Sequence, residues 1–303
     1  MNRFRPNMQV ASSVPVSQTK TMRGLWFHLD ASNKDSLTFS DGTVGTDANG
    51  VITGSVVTWA NLANQNQRAK GTQNRSVNPT THVSAEMPTY SASVAQCNNN
   101  PALYFDETDG LIVTRPGMVD ETENPLRYGM YSHEHQNAEW QIFLAIYMDS
   151  SAGSNATVYH KSDGEQILRK NSSYSDMRTL NAGLHANLSG VSEDQFDLFD
   201  INVTDVGSDD LQLSVVVNGT EIESKTLTNA MTVGWPDGTG VQNYNYPSFF
   251  VIGAQYSGDS TGGGVKEEFK GYMCEFLWFD RAFTTAERTT MREHLTTKWG
   301  AFG

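Results

Sequence analysis

The chain has 303 residues, 38% of them hydrophobic, which is enough for one large domain with a real core. Its formal net charge is −13 and it has no Lys/Arg cluster, so nucleic-acid binding is not expected, because an acidic surface repels phosphate. It has no apolar run of about 18 residues, so no transmembrane helix is expected, while 26 glycines and 10% aromatics suit strands joined by turns.

Residues 1–23 are polar, carry Pro6 and Pro15, and show no periodicity. They read as an extended arm without a core of its own, with Arg3, Phe4, Arg5, Met8 and Val10 as its candidate contacts. The arm has no apolar segment of the kind a secretion signal needs. The folded domain is expected over residues 24–303. At its start Leu25, Phe27 and Leu29 alternate with Trp26, His28 and Asp30, which is strand periodicity. Turn dipeptides at Asp41-Gly42 and Asn49-Gly50 precede the strand SVVTWANL. PALYFDETDGLIV reads as two short strands around an Asp/Gly turn, and residues 114–139 as a long polar loop.

WQIFLAIYMDS, residues 140–150, is continuously apolar and is expected to lie centrally. LQLSVVVNGTEIESKTL carries Asn218-Gly219 between two β-rich runs, the signature of a tight hairpin. PSFFVIGAQYSG supplies a further strand. Near the end, FKGYMCEFLWFD is apolar on both faces: Tyr272, Cys274, Phe276 and Trp278 on one, Met273, Glu275, Leu277 and Phe279 on the other. Such a strand needs an opposing sheet on one side and a helix on the other. The helix follows, with Thr284 and Glu287 as a capping box, Met291, Leu295 and Trp299 as an apolar stripe, and Gly300 at its end. Glu275, alone on an apolar face, is expected to pair with Arg281. Cys97 and Cys274 read as buried thiols, with a bridge between them left open.

Candidate chemistry is sparse. Glycoside hydrolysis needs two carboxylates flanking one bond. Asp106-Glu107-Thr108-Asp109 and the acidic run at residues 120–123 fall in turns or loops, and Asp194, Asp197 and Asp200 are spaced by three, which does not hold one strand face. No catalytic residue is expected. His133 and His135 lack a third ligand for zinc. Trp235, Asp237, Tyr244 and Tyr246 form an aromatic and polar cluster suited either to sugar or to a protein partner.

Four blocks together resemble the laminin-G-like, concanavalin A-like jelly-roll domains found in bacterial surface proteins and phage virions. They are LWFHLDAS (25–32), VVTWANLANQNQRA (56–69), MPTYSASVAQCNNNPALYFDETDGLIV (87–113) and the closing FKGYMCEFLWFDRAFTTAERTTMREHLTTKWG (269–300). The resemblance implies an all-β, two-sheet antiparallel sandwich with a C-terminal α-helix. It further implies calcium at a loop rim, with Asp106 and Asp109 as ligands and Asp259 as a weaker third. Laminarinases of this architecture carry Glu-x-Asp-x-x-Glu on one strand, which this chain lacks. The combined expectation is a non-enzymatic virion protein, a phage capsid decoration (cement) protein made in the host cytoplasm. Its arm would dock on major capsid or other virion proteins, and further copies of the chain would form a homo-oligomer. The alternative is a carbohydrate- or receptor-binding tail or adhesion module recognising cell-surface glycan.

Overall fold

The computed structural model describes residues 24–40, 45–46, 52–63, 68–71, 87–114, 139–161, 166–171, 174–178, 185–188, 191–208, 210–228, 250–257, 264–266, 268–279 and 281–303. The arm contacts Arg3, Phe4, Arg5, Met8 and Val10 lie outside them. In chain order the strands are β1 (Leu25–Asp30), β2 (Leu37–Phe39), β3 (Gly45–Thr46), β4 (Ile52–Ala60), β5 (Arg68–Gly71), β6 (Thr89–Val94) and β7 (Asn100–Asp106). They continue with β8 (Leu111–Thr114), β9 (Trp140–Met148), β10 (Thr157–Lys161), β11 (Gln166–Asn171), β12 (Tyr174–Arg178), β13 (His185–Leu188) and β14 (Phe196–Gly207). The last are β15 (Asp210–Val217), β16 (Thr220–Leu227), β17 (Phe250–Ile252), β18 (Gln255–Ser257), β19 (Gly264–Lys266) and β20 (Lys270–Phe279), followed by helix α1 (Thr285–Trp299).

Apart from the β18–β19 ribbon, the strands pair antiparallel into two sheets. One runs β16–β15–β14–β9–β20. On the far side of β20 its first half meets β7 and its second half meets β1. The sheet then continues through β6 to the start of β4 and β3. The other runs β13–β12–β11–β10–β17–β8–β5, then the second half of β4, then β2. Strand β4 therefore passes from one layer to the other. Between the layers lies the main core, with Phe27, Leu29, Trp59, Phe105, Ile142, Leu144, Tyr159, Ile201, Val215, Phe276 and Trp278 all buried. The chain is thus the two-sheet all-β sandwich with a terminal helix that the residue pattern implies. Within the run PSFFVIGAQYSG, expected as one strand, the described residues form two, Phe250–Ile252 and Gln255–Ser257. It breaks at Gly253, whose φ of 82° and contact with the Phe105 ring leave no room for a side chain.

A second core lies outside the first sheet, under α1. It joins Phe143, Ala145, Leu198, Cys274, Leu277 and Phe279 to Met291, Leu295 and Trp299 of the helix. The capping box forms as expected: Glu287 N donates to Thr284 Oγ1 at 3.3 Å and Thr284 N to Glu287 Oε2 at 2.8 Å. At the other end Asn100 Nδ2 donates to Trp299 O at 2.6 Å, satisfying a carbonyl the helix leaves open. The three large apolar side chains contribute about 2 kcal/mol each by burial.

Two expectations about β20 are corrected. The register against β9 shifts between Met273 and Glu275, so a bulge changes the phase of the strand. Met273 joins Phe276 and Trp278 in the intersheet core, whereas Cys274 joins Leu277 and Phe279 under the helix. Strict alternation over residues 272–279 does not hold. Nor does Glu275 pair with Arg281, which reaches Glu287 instead at 2.7 Å, beside the capping box at the opposite end of the helix. Glu275 is buried beneath the last turn, where it meets His28 Nε2 at 2.7 Å, Lys298 Nζ at 2.9 Å and Trp299 Nε1 at 2.5 Å. Lys298 also reaches Asp30 Oδ2 at 2.8 Å. Toward the helix start, fully buried Asp200 accepts from Arg288 Nε at 2.8 Å, Gln141 Nε2 at 2.9 Å and Arg292. Each clamp ties α1 to the sheet through charges removed from water.

Removing one partner of such a cluster leaves the others buried and uncompensated. Lys298→Met is expected to cost about 3–5 kcal/mol, read as a lowered urea midpoint. Burial pushes the Glu275 carboxyl up, but Lys298 and His28 outweigh it and hold it at about 2, below its ordinary 4.5. The stability this contributes is present above pH 4.5 and is lost as the pH falls toward 2. Glu275→Gln should therefore flatten the acid limb of the stability–pH curve. An unchanged limb would show that the clamp is not coupled to folding.

Candidate functional site

Trp235, Asp237, Tyr244, Tyr246, His133, His135 and Asp259 lie outside the described residues. Asp106 and Asp109 flank the β7–β8 turn. Asp106 Oδ1 accepts Thr108 N at 3.0 Å and Thr108 Oγ1 at 2.6 Å, and Asp109 Oδ2 accepts Asp106 N at 3.0 Å. Their carboxylates shape the turn's own backbone, the ordinary use of Asp in such a position. Among the described residues, the His/Cys/Asp/Glu group with ligand atoms within 4.8 Å of one another is instead His28, Asp30 and Glu275. There the Lys298 ammonium already sits between the two carboxylates, so the group fits an internal ion pair better than a metal.

The three aspartates spaced by three also separate. Asp194 is exposed at the turn before β14, Asp197 accepts Asn218 Nδ2 at 2.6 Å, and Asp200 belongs to the arginine clamp. They share no cleft and do not form an acid pair.

The fold brings together residues that the sequence reading did not. Tyr104 of β7 is the register partner of Tyr272 of β20. Tyr272 is also the partner of Tyr147 of β9, and Tyr147 of Phe196 of β14. Four adjacent strands thus carry one aromatic row across the outer face of the first sheet. The Tyr104 and Tyr272 ring centroids lie 4.8 Å apart, and those of Tyr147 and Tyr272 6.0 Å apart and edge-on. Phe302, just past α1, closes the row by packing on Phe196 at 4.8 Å. The three tyrosines are half-buried. Phe302 also lines a groove of about 490 Å³ between α1 and the β15–β16 hairpin, with Leu198, Asn218, Gly219, Arg292 and Glu293.

Carboxylates rim the row. Tyr147 Oη donates to Asp194 Oδ1 at 3.2 Å, and Ser150 N donates to the same oxygen at 2.9 Å. Asp149 Oδ1 accepts Ser151 N at 2.8 Å, and Glu107 Oε1 accepts Gly153 N at 2.7 Å. These bonds use one oxygen of each carboxylate. Burial and then the Asp194 charge push the Tyr147 hydroxyl up to about 12. Burial, then Asp149, Tyr272, Asp106 and Glu107, push Tyr104 up as well. A row of half-buried rings with acceptors at its margin can stack on the C–H face of a pyranose while carboxylates take its hydroxyls. An anionic ligand would meet like charge there.

No family model and no curated protein matches the chain in sequence. Solved structures resemble it at low identity. Domain 4 of AbnA, an extracellular arabinanase from Geobacillus stearothermophilus solved with arabinotriose, is 14% identical with a TM-score of 0.44, covering 88% of this chain and 98% of that one. A Trypanosoma rangeli sialidase in complex with sialic acid is 11% identical with a TM-score of 0.46, covering 89% of this chain and 32% of the sialidase. The binding domain of botulinum neurotoxin DC in complex with SialylT is 11% identical with a TM-score of 0.43, covering 91% of this chain and 52% of that one.

Asp194→Asn removes the charge beside Tyr147 while keeping one oxygen able to accept its hydroxyl. An alkaline absorbance titration should then show one tyrosine moving from about 12 part of the way back toward 10.0, the remainder being burial. Superimposable wild-type and variant titrations would break the link between the row and its rim.

Proposed function

We propose that the chain is a non-enzymatic carbohydrate-binding module that takes neutral or amino sugars of a cell-surface glycan on the row Tyr104, Tyr272 and Tyr147. The observation that carries this reading is the register alignment of three half-buried tyrosines beside Asp149, Asp194 and Glu107. Aromatic faces supply apolar contact at little entropic cost, and the carboxylates supply directional acceptors. Binding rather than turnover is favoured because the acidic runs among the described residues serve turns and ion pairs instead of facing one another across a cleft.

Placement on a phage particle, with major capsid proteins and further copies of the chain as partners, is the finer part of this proposal. It rests on the family resemblance and on residues 1–23. Deleting those residues should leave a folded sandwich that no longer loads onto particles, and wild-type loading would remove the arm from the account.

Glycan-array screening followed by calorimetry tests the sugar reading. Tyr272→Ala and Tyr147→Ala are each expected to weaken binding at least about tenfold, or about 1.4 kcal/mol, with the β-sheet circular dichroism retained. If Trp235→Ala or Tyr246→Ala abolishes binding while Tyr272→Ala does not, the sugar sits on the 229–249 segment and the row is not the platform. If no glycan binds at all, the module reading fails.

A further inference from the structure

The two cysteines, far apart in sequence, meet in the second core. Cys97 closes the 3₁₀ turn Ala95–Cys97, which leads through the left-handed residues Asn98 and Asn99 into β7. Cys274 is the residue inserted at the β20 bulge, next to where β20 leaves β7 for β1. Both thiols are fully buried, both belong to the cluster under α1, and both are free. Cys97 is a near neighbour of Cys274 within this cluster, close enough to act on its thiol. Cys274 shares its face with Tyr272, two residues earlier, and Met273 between them points into the intersheet core, so both thiols lie on the helix side of the sheet.

We propose that Cys97 and Cys274 are a covalent modification site, closing to one intramolecular disulfide in the presence of a thiol–disulfide oxidant. In the reaction, the thiolate of one cysteine attacks a small-molecule disulfide such as oxidised glutathione, releasing one equivalent of reduced glutathione. The second thiolate then attacks the mixed disulfide and releases another. Two S–H bonds and the oxidant's S–S bond break; one protein S–S bond and two glutathione S–H bonds form, so the two electrons leave on glutathione. The bridge would staple the turn before β7 to β20, two residues beyond Tyr272, and restrict the unfolded chain across a long loop. Burial, with Cys97 alongside, pushes the Cys274 thiol well up, so the exchange is slow while the fold stays closed. The inference does not depend on the sugar reading.

The test treats the full reduced chain with oxidised glutathione in two ways, in the native state and during refolding from urea. Refolding exposes both thiols, so protection by the fold is not mistaken for wrong geometry. The expected result is a peptide linking residues 97 and 274 by mass spectrometry, a monomer on a non-reducing gel, and a Tm several degrees above that of the reduced chain that falls back with dithiothreitol. Cys97→Ala and Cys274→Ala should each remove that shift. Two alkylatable thiols after both treatments, stable glutathione adducts, or cross-linked dimers would each overturn the proposal. So would a linked peptide only in chains without native circular dichroism.

Discussion

The structure depends on burying β20 on both faces. One face completes the intersheet core; the other needs α1 as a lid. The helix has only the narrow stripe Met291, Leu295 and Trp299 to offer, so apolar contact alone leaves its rotation loosely determined. Charges fix it. Arg288 and Arg292 reach buried Asp200 near its start, and Lys298 reaches buried Asp30 and Glu275 near its end. Each clamp gains little over a well-packed apolar pair, but breaking one is expensive, because the surviving charge has no water to turn to. The penalty for misplacing the helix is therefore steep, and the helix sits in one position.

That position shapes the surface beyond it. Asn98 Nδ2 and Asn100 Nδ2 hold the carbonyls that end α1, and the chain then carries Phe302 onto Phe196. The aromatic row is thus bounded on one side by the helix terminus and on the other by the acidic β7–β8 and β9–β10 turns. A half-buried tyrosine held by neighbours on both sides loses little rotamer freedom when a ligand arrives, which is what a binding platform requires. The bulge at Cys274 contributes too. It lets Tyr272 face outward with Cys274 and Leu277 while Met273, Phe276 and Trp278 fill the core.

Features encoded locally were legible in the sequence. The capping box at Thr284 and Glu287, the stripe on α1, the Asn218-Gly219 hairpin and the central strand at Trp140–Met148 each follow from spacings of a few residues, and each is present. Features that depend on pairing between distant strands were not. Alternation put Tyr272 on the face of Phe276 and Trp278, the wrong side of the sheet, and nothing local says that β7, β20 and β9 are neighbours in this register. The bulge arises from β9 opposite β20, so residues 272–279 alone suggested unbroken alternation. Glu275 was correctly seen as needing a partner, yet the sequence pointed to Arg281 just beyond the strand, whereas Lys298, in the last turn of α1, is the one in space. The aromatic row would have been found by asking which half-buried tyrosines share a register rather than which lie close in sequence.

The most direct measurement is a titration followed by NMR on chain labelled at tyrosine, using the best glycan from an array. The account predicts that the ring resonances of Tyr104, Tyr147 and Tyr272 move together and saturate at one dissociation constant. Saturable shifts confined to tyrosines of the 229–249 segment, with those three unmoved, would contradict it.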